Sequence, residues 1–244
     1  MRLTVIGCRC GSPKKNEACS GYLLEAEGMR LLLDCGSGVL GVLQNVAEVT
    51  EINHIILSHY HYDHFSDAGS AVYARLVNMQ LGNTTEKLHL YAPKDDLFFN
   101  TLEMPPYSEV QEINESRVCE IGPFQIRFLK TKHPIECYAM KVAVGGKILV
   151  YTADTAYFEG LVEFAQNADI LIAECSLYSG ISGEKAGHMN SLEVARLARD
   201  AGVKQLIYTH LPIYGNCDEL KQDILQIYDG AVIKAEKLLE MDII

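Results

Sequence analysis

The stretch SHYHYDH, Ser58–His64, places three histidines and one aspartate within seven residues. His59, His61 and Asp63 are spaced at i, i+2 and i+4, so in an extended chain their side chains would point the same way, with His64 pointing elsewhere. Imidazole and carboxylate groups are ligands that suit Zn²⁺, Mn²⁺ and Fe²⁺. The stretch is either a metal site or a polar surface loop rich in histidine, and the rest of the chain decides between them.

Candidate metal ligands also follow apolar segments elsewhere in the chain. Four predicted strands each run into one of them: Ile52–Leu57 into His59, Phe124–Leu129 into His133, Lys147–Tyr151 into Asp154, and Gln205–Tyr208 into His210. Sites in open α/β sheets are built at the carboxyl ends of strands, so this regularity favours a metal site over a surface loop. His54 and His89 lie outside the pattern, and we interpret them as structural or surface residues.

Strand and helix patterns alternate along the chain, which predicts a layered α/β architecture. The remaining predicted strands are Leu3–Gly7, Tyr22–Glu25, Arg30–Asp34, Leu88–Tyr91, Ala139–Val144 and Ile170–Ala173, and the predicted helices are Val39–Val49, Asp67–Gln80, Tyr157–Gln166, Asn190–Gly202 and Glu219–Tyr228. The segment Phe98–Ser116 has no clear period and is predicted to be an irregular excursion. It would either cover the active site or form a homodimer contact.

Composition limits the classes of partner. The 244 residues are 48% hydrophobic, which is enough for a large core, and the net charge is −11 with no basic cluster longer than Lys14-Lys15. Long nucleic acid is therefore disfavoured as a partner, because binding it requires Lys and Arg against the phosphates. We find no signal sequence or apolar span and expect a cytoplasmic protein with no membrane partner. The eight cysteines include only one close pair, Cys8 and Cys10, and are expected to be reduced and mostly buried.

In its ligand pattern the chain resembles the metallo-β-lactamase-fold hydrolases. The residues that carry the resemblance are HYHYDH at His59–His64, followed by His133, Asp154 and His210. The resemblance implies a four-layer αββα sandwich in which residues 1–244 form a single domain of two similar halves.

The resemblance also implies a site with two divalent metal ions per chain, expected to be Zn²⁺ with Mn²⁺ as the alternative. His59, His61 and His133 would bind one ion, Asp63, His64 and His210 would bind the other, and Asp154 would bridge them together with a shared hydroxide. Asp34 would brace a histidine ligand. Glu174 would act similarly, or would be a simple hydrogen-bonding acid.

The segment Gly187–Ser191 resembles the histidine motif of the ribonuclease Z-like tRNA 3′-end processing endonucleases and related phosphodiesterases. The resemblance implies that His188 is a catalytic helper, which we interpret as a general acid, and we count Asp63 as a second catalytic residue beside its ligand role. The alternative for His188 is a loop histidine with a structural hydrogen bond. The predicted activity is hydrolysis of a small phosphodiester, such as a cyclic nucleotide or cyclic phosphate, by the metal-bridging hydroxide.

The chain departs from the endonuclease pattern in two places. Phe65–Gly69 replaces the usual Gly-Leu-Pro-Gly type, and no basic arm for tRNA occurs between His64 and His133. These departures favour a small substrate over tRNA, although the tRNA endonuclease stays an alternative. A thioesterase or lactonase of the glyoxalase II or quorum-quenching type also stays open. A binding module that has lost its chemistry is disfavoured, because the ligand set is complete.

Overall fold

The computed structural model describes residues 1–243, which divide into two compact units. The N-terminal unit comprises Arg2–Ile113 and Lys237–Met241, and the C-terminal unit comprises Asn114–Glu236 with Met1 and the residues from Asp242. Each unit contains one seven-stranded sheet. That residues 1–244 form a single domain of two similar halves stays a prediction.

The sheet of the N-terminal unit combines antiparallel and parallel strands. Its strands are β1 (Arg2–Gly7), β2 (Gly21–Ala26), β3 (Met29–Leu33), β4 (His54–Ile56), β5 (Leu88–Ala92), β6 (Ser108–Glu112) and β14 (Glu240–Asp242), in the order β14-β1-β2-β3-β4-β5-β6. The pairs β1–β2 and β2–β3 are antiparallel, and β3 to β6 run parallel.

Helices cover one face of this sheet. They are α1 (Val39–Leu43), α2 (Tyr62–Phe65) and α3 (Ala68–Gln80), with two short 3₁₀ helices at Val49–Glu51 and Phe99–Leu102. Alternate strand residues such as Leu23, Leu32 and Ile55 pack with Val39 and Val72 of the helices in one buried apolar cluster. Burial of these side chains is the main force that holds the sheet and helices together.

The sheet of the C-terminal unit mixes strand directions in the same way. Its strands are β7 (Val118–Ile121), β8 (Phe124–Lys130), β9 (Tyr138–Val144), β10 (Lys147–Tyr151), β11 (Ile170–Glu174), β12 (Gln205–Thr209) and β13 (Ala231–Lys234), in the order β13-β12-β11-β10-β9-β8-β7. The strands β7 to β10 pair antiparallel, and β10 to β13 run parallel.

The helices of this unit are α4 (Glu159–Ala165), α5 (Ser191–Asp200) and α6 (Cys217–Ile224). Helix α5 packs against α4 and α6 and contacts β11. It begins at the predicted cap: the Asn190 side chain accepts hydrogen bonds from the Leu192 and Glu193 amides, and Glu193 accepts one from the Asn190 amide. This cap fixes the point where the loop carrying His188 ends and the helix begins.

Strand direction places the candidate ligands of each unit at one edge of its sheet. In the C-terminal unit, β10, β11 and β12 are parallel, so Asp154, Glu174 and His210 lie at neighbouring carboxyl ends. Strand β8 runs in the same direction as β10 because β9 is antiparallel to both, and this brings His133 to the same edge. In the N-terminal unit, Asp34 follows β3 and His59 follows the parallel strand β4.

Some predicted elements are wrong. Helix α1 ends at Leu43 instead of Val49, because Gly41 weakens it and the Asn45 side chain donates to the Val42 carbonyl at 2.7 Å. The segment predicted as irregular contains β6, a polar edge strand whose sequence SEVQE has little apolar alternation. Strands β7, β13 and β14 were not predicted, and β7 and β13 are likewise edge strands.

No helix among residues 1–243 is long and apolar enough to cross a membrane.

Most of the cysteines are buried, and none forms a disulfide in the described part of the chain. Burial, followed by the nearby Asp67 and Asp34 charges, raises the pKa of the Cys35 thiol well above its usual value. Cys35 therefore lies as an inert thiol beside the ligand loop, the segment Ser58–His64.

Candidate metal centre

The ligand loop of the N-terminal unit is only partly extended. His61 precedes α2, so Asp63 and His64 lie within a helical turn, and the prediction that Asp63 continues an extended strand is wrong. The helical turn rotates successive residues by about 100°, so His59 lies close to His61, and Asp63 lies close to His64. His59 Nε2 lies 3.1 Å from His61 Nδ1, and Asp63 Oδ2 lies 3.9 Å from His64 Nε2.

Asp34 braces His64, as the resemblance implied. Its buried carboxylate accepts hydrogen bonds from the Ser58 amide at 2.7 Å, the Ser58 hydroxyl at 2.9 Å and His64 Nδ1 at 2.7 Å. A carboxylate only accepts, so His64 carries its proton on Nδ1 and its lone pair on Nε2. Asp34 adopts a left-handed backbone with φ 57°, a strained conformation that aims its side chain at these donors.

Ser58 and Gly36 shape the same loop, and the sequence analysis missed their roles. The Ser58 hydroxyl has one proton, which it donates to Asp34, so it accepts from His59 Nδ1 at 3.0 Å and leaves the His59 lone pair on Nε2. Gly36 packs so closely that a Cβ there would lie 2.0 Å from the Asp63 carbonyl oxygen. Only glycine at position 36 lets the backbone at Asp63 pack this close to the end of β3.

Asp154 lies between two histidines in the C-terminal unit. Its Oδ2 is 4.0 Å from His133 Nε2, and its Oδ1 is 3.5 Å from His210 Nε2. His133 Nδ1 donates to the Gly187 carbonyl at 3.1 Å, which puts the His133 lone pair on Nε2. All three side chains are almost fully buried.

A second acid and serine hold the remaining histidines of this unit. Glu174, fully buried, accepts from His188 Nδ1 at 2.9 Å and from the Ser176 hydroxyl at 2.7 Å. Ser176 has then used its proton, so it accepts from His210 Nδ1 at 2.7 Å and leaves the His210 lone pair on Nε2. Glu174 thus holds His188 directly and reaches the proposed ligand His210 only through Ser176, a contact that sequence analysis missed.

His188 is placed among the histidines of the C-terminal unit. Its ring stacks on that of His210 with centroids 5.6 Å apart, and the His133 ring meets it edge-on at 5.4 Å. Burial alone would lower the pKa of His188, but the hydrogen bond and charge of Glu174 outweigh burial and raise this pKa above its usual value. The predicted catalytic histidine therefore lies beside two predicted ligands.

The donor set in each unit fits a divalent cation. Two ligand atoms of one tetrahedral zinc, each about 2.0–2.1 Å from the ion, are roughly 3.3 Å apart. The four pairs described above are separated by 3.1, 3.9, 4.0 and 3.5 Å, close to that spacing. Hydrogen bonds at Nδ1 direct the lone pairs of His59, His64, His133 and His210 to Nε2, the state in which an imidazole binds a metal.

Comparison with known proteins identifies the family. Residues 29–211, a range that includes all seven candidate ligands, match the family described as the beta-lactamase superfamily domain. The chain belongs to this superfamily. Membership confirms the predicted fold class, the αββα sandwich of the metallo-β-lactamase fold, and makes the protein a metallo-hydrolase that binds divalent metal.

The relatives place the chain within the superfamily. It is 40% identical over 233 residues to the probable metallo-hydrolase YhfI of Bacillus subtilis, covering 95% of this chain and 96% of that protein. The crystal structure of YhfI superimposes with a TM-score of 0.96 over 98% of each chain. Ribonuclease Z of Methanosarcina mazei is 23% identical over 304 aligned positions, covering 100% and 98%. The short form of human tRNase Z shares the fold, with 20% identity, a TM-score of 0.78 and full coverage of both chains. These similarities confirm the predicted position near the ribonuclease Z branch.

Proposed function

We propose that the protein is a metal-dependent phosphodiesterase that hydrolyses a small phosphodiester, such as a cyclic nucleotide or cyclic phosphate. One observation carries the proposal. His188 contacts His210 and His133 and is itself held by Glu174, which is the placement that a proton donor to a leaving group requires. A thioesterase or lactonase would use the same ligands without needing this histidine.

The proposed ligands are the seven expected from the resemblance. His59, His61 and His133 would bind one metal ion, Asp63, His64 and His210 the other, and Asp154 both. We propose zinc for both ions, with Mn²⁺ as the alternative. The placement of Asp154 supports its shared role, since each of its oxygens faces a different imidazole. When bound, the two ions would neutralise the phosphate charge and lower the pKa of water to about 7 for the attack.

Side chains of the protein would supply the proton for the leaving group and hold the ligands in position. Glu174 holds the Nδ1 proton of His188, so the proton for the leaving alkoxide would come from His188 Nε2. Asp63 accepts a hydrogen bond from the Gly11 amide at 2.6 Å, which fixes its carboxylate in the helical turn while it serves as ligand and catalytic residue. These contacts position groups before substrate arrives, so little reorganisation is needed during the reaction.

Substitution of His188 tests the proposal. In His188→Ala we expect both metals to be retained and kcat to fall about 10²–10⁴-fold on an alkyl phosphodiester, the usual contribution of general acid catalysis. The loss should be much smaller on bis-p-nitrophenyl phosphate, because p-nitrophenolate leaves with little protonation. His89→Ala is the matched control, since His89 Nδ1 also pairs with a glutamate, Glu109, at 2.8 Å but lies outside the ligand set. Equal losses on both substrates, with metals retained, would remove the proton-donor role.

The names of two similar proteins, ribonuclease Z and tRNase Z, support a second candidate function, tRNA 3′-end processing. We favour a small substrate because the net charge is −11 and no basic arm follows the ligand loop. Cleavage of precursor tRNA should therefore be weak compared with cleavage of cyclic nucleotides. Efficient tRNA cleavage, with an affinity that falls steeply as salt concentration rises, would reverse this order of preference.

A further inference from the structure

Four aromatic rings cluster beside the ligand loop of the N-terminal unit. They belong to Tyr60, Tyr62, Phe65 and Phe98. Tyr60 is buried, with 6% exposure, but Tyr62 is 69% exposed although it lies between two proposed ligands in the chain. A large exposed ring in this position is available to contact a ligand.

The cluster fixes the orientation of Tyr62. Its ring stacks on Phe65 with centroids 5.6 Å apart and planes 25° from parallel, and it meets Phe98 edge-on at 6.5 Å. Phe65 and Phe98 lie 4.9 Å apart, and Tyr60 packs edge-on against Phe65 at 5.3 Å. Tyr62 therefore contacts the buried ring of Phe65 and the partly buried ring of Phe98 and presents the rest of its surface to solvent.

The loop that supplies Phe98 is held just as firmly. The Tyr60 hydroxyl donates to the Pro93 carbonyl at 3.0 Å, and Asp95 accepts from the amides of Leu97 and Phe98 at 2.7 Å each. Leu97, which precedes Phe98 in this loop, is 73% exposed. The surface is thus prebuilt, so a flat ligand would lose little free energy in ordering it.

We propose that Tyr62 stacks against the nucleobase of a mononucleotide phosphodiester, an inference that rests on the function proposed above. A ligand over this ring must be flat to gain stacking energy. It must also carry no negative charge there, because Asp95 and Asp96 lie in the loop that supplies Phe98 and the chain has a net charge of −11. A nucleobase is flat and uncharged, so it meets both conditions. The negative charge of the same molecule lies on its phosphate, which the bound metal ions would attract. Tyr62 would then select nucleotides over cyclic phosphates without a base.

The test compares a 3′,5′-cyclic nucleotide with a base-free ribose 3′,5′-cyclic phosphate on the metal-loaded protein. Base–aromatic stacking is worth about 1–3 kcal/mol, so Tyr62→Leu should reduce the preference for the nucleotide, measured as the ratio of the two KM values, by about 5- to 150-fold. Tyr62→Phe keeps the ring and should keep the preference. Tyr73→Leu is the matched control, because Tyr73 on α3 is 61% exposed but has no ring contact among residues 1–243.

Equilibrium binding of the same two compounds, measured by calorimetry, separates this inference from the proposed reaction. Nucleotide binding that weakens in Tyr62→Leu, in a protein that hydrolyses neither compound, would support the stacking role and refute the phosphodiesterase. A wild-type preference that Tyr62→Leu leaves unchanged would overturn the stacking role, as would equal wild-type affinity for both compounds.

Discussion

Replacing Asp34 with asparagine should weaken metal binding without removing any ligand. Asp34 accepts three hydrogen bonds, including one from His64 Nδ1 at 2.7 Å, and it is fully buried. The amide oxygen of asparagine can still accept from the Ser58 amide. The amide nitrogen would then face His64 Nδ1 as a donor, which pushes the His64 proton to Nε2 and blocks the lone pair that a metal needs.

The structure sets the size of two separate effects. Loss of a bracing partner of a metal-binding histidine lowers metal affinity about 10–100-fold, or about 1.4–2.7 kcal/mol. In the metal-free protein, the exchange also removes the charge-assisted hydrogen bond between Asp34 and His64, a loss of about 1.5–3 kcal/mol in the free energy of unfolding. The two losses are measured in different states and need not be equal.

Competition with a chromophoric chelator measures the zinc dissociation constant, and urea unfolding of the metal-free protein measures stability. Asp169→Asn is the matched control: Asp169 accepts from the Ile148 amide at 2.8 Å and pairs with Lys147 and Lys204, but it contacts no histidine among residues 1–243. We expect this control to keep wild-type metal affinity. If Asp34→Asn loses stability but binds zinc as tightly as wild type, the His64 tautomer does not control metal affinity.

Three further outcomes follow from the contacts. Ser176→Ala should weaken metal binding about tenfold while His188 keeps its glutamate partner, as measured by chelator competition. Gly187→Ala should also weaken it, because a Cβ there would lie 2.8 Å from His133 Cα; Gly202→Ala has a similar positive φ without such a contact and should lose only stability in a thermal unfolding assay. Burial, followed by the neighbouring His89 and Arg75, lowers the pKa of His54 from 6.5 to about 4, so the stability that depends on neutral His54 is fully present above pH 6.5 and is lost as pH falls towards 4. His54→Asn should reduce that pH dependence in urea titrations between pH 7 and pH 4.5, and an unchanged slope would exclude the shift.

The candidate ligands could be predicted because each follows an apolar strand. Runs such as Ile55–Leu57 and Leu206–Tyr208 identify buried strands, and the polar residue just beyond each run must lie at a sheet edge. The capped helix α5 was equally predictable from Asn190 and Glu193, whose spacing alone defines the capping box.

Other features could not be predicted from the sequence, for physical reasons. The four-residue helix α2 is too short to leave a periodic pattern, and it overturned the extended spacing assumed for Asp63. Edge strands such as β6 and β13 bury little surface and therefore carry weak alternation. Ser58 and Ser176 are common residues whose roles depend on partners 24 and 34 positions away in the chain.

Both units contain the same arrangement of an acid, a serine and two histidines, which fixes the position of the proton on each histidine ring. In each, a buried acid accepts a hydrogen bond from a serine hydroxyl, and that serine accepts from Nδ1 of a proposed ligand, either His59 or His210. The acid also binds Nδ1 of a second histidine, His64 in one unit and His188 in the other. Because the serine has only one proton, its direction of donation is set by the acid and not by the metal. Each unit thus fixes the tautomers of its histidines through its own hydrogen bonds.

The difference between the units lies in the role of the histidine that the acid binds. In the N-terminal unit this histidine, His64, is a proposed ligand, and in the C-terminal unit it is His188, the proposed proton donor. Under the proposed roles, the same acid–histidine contact would support metal binding in one unit, and in the other it would leave Nε2 of His188 as the atom for proton transfer.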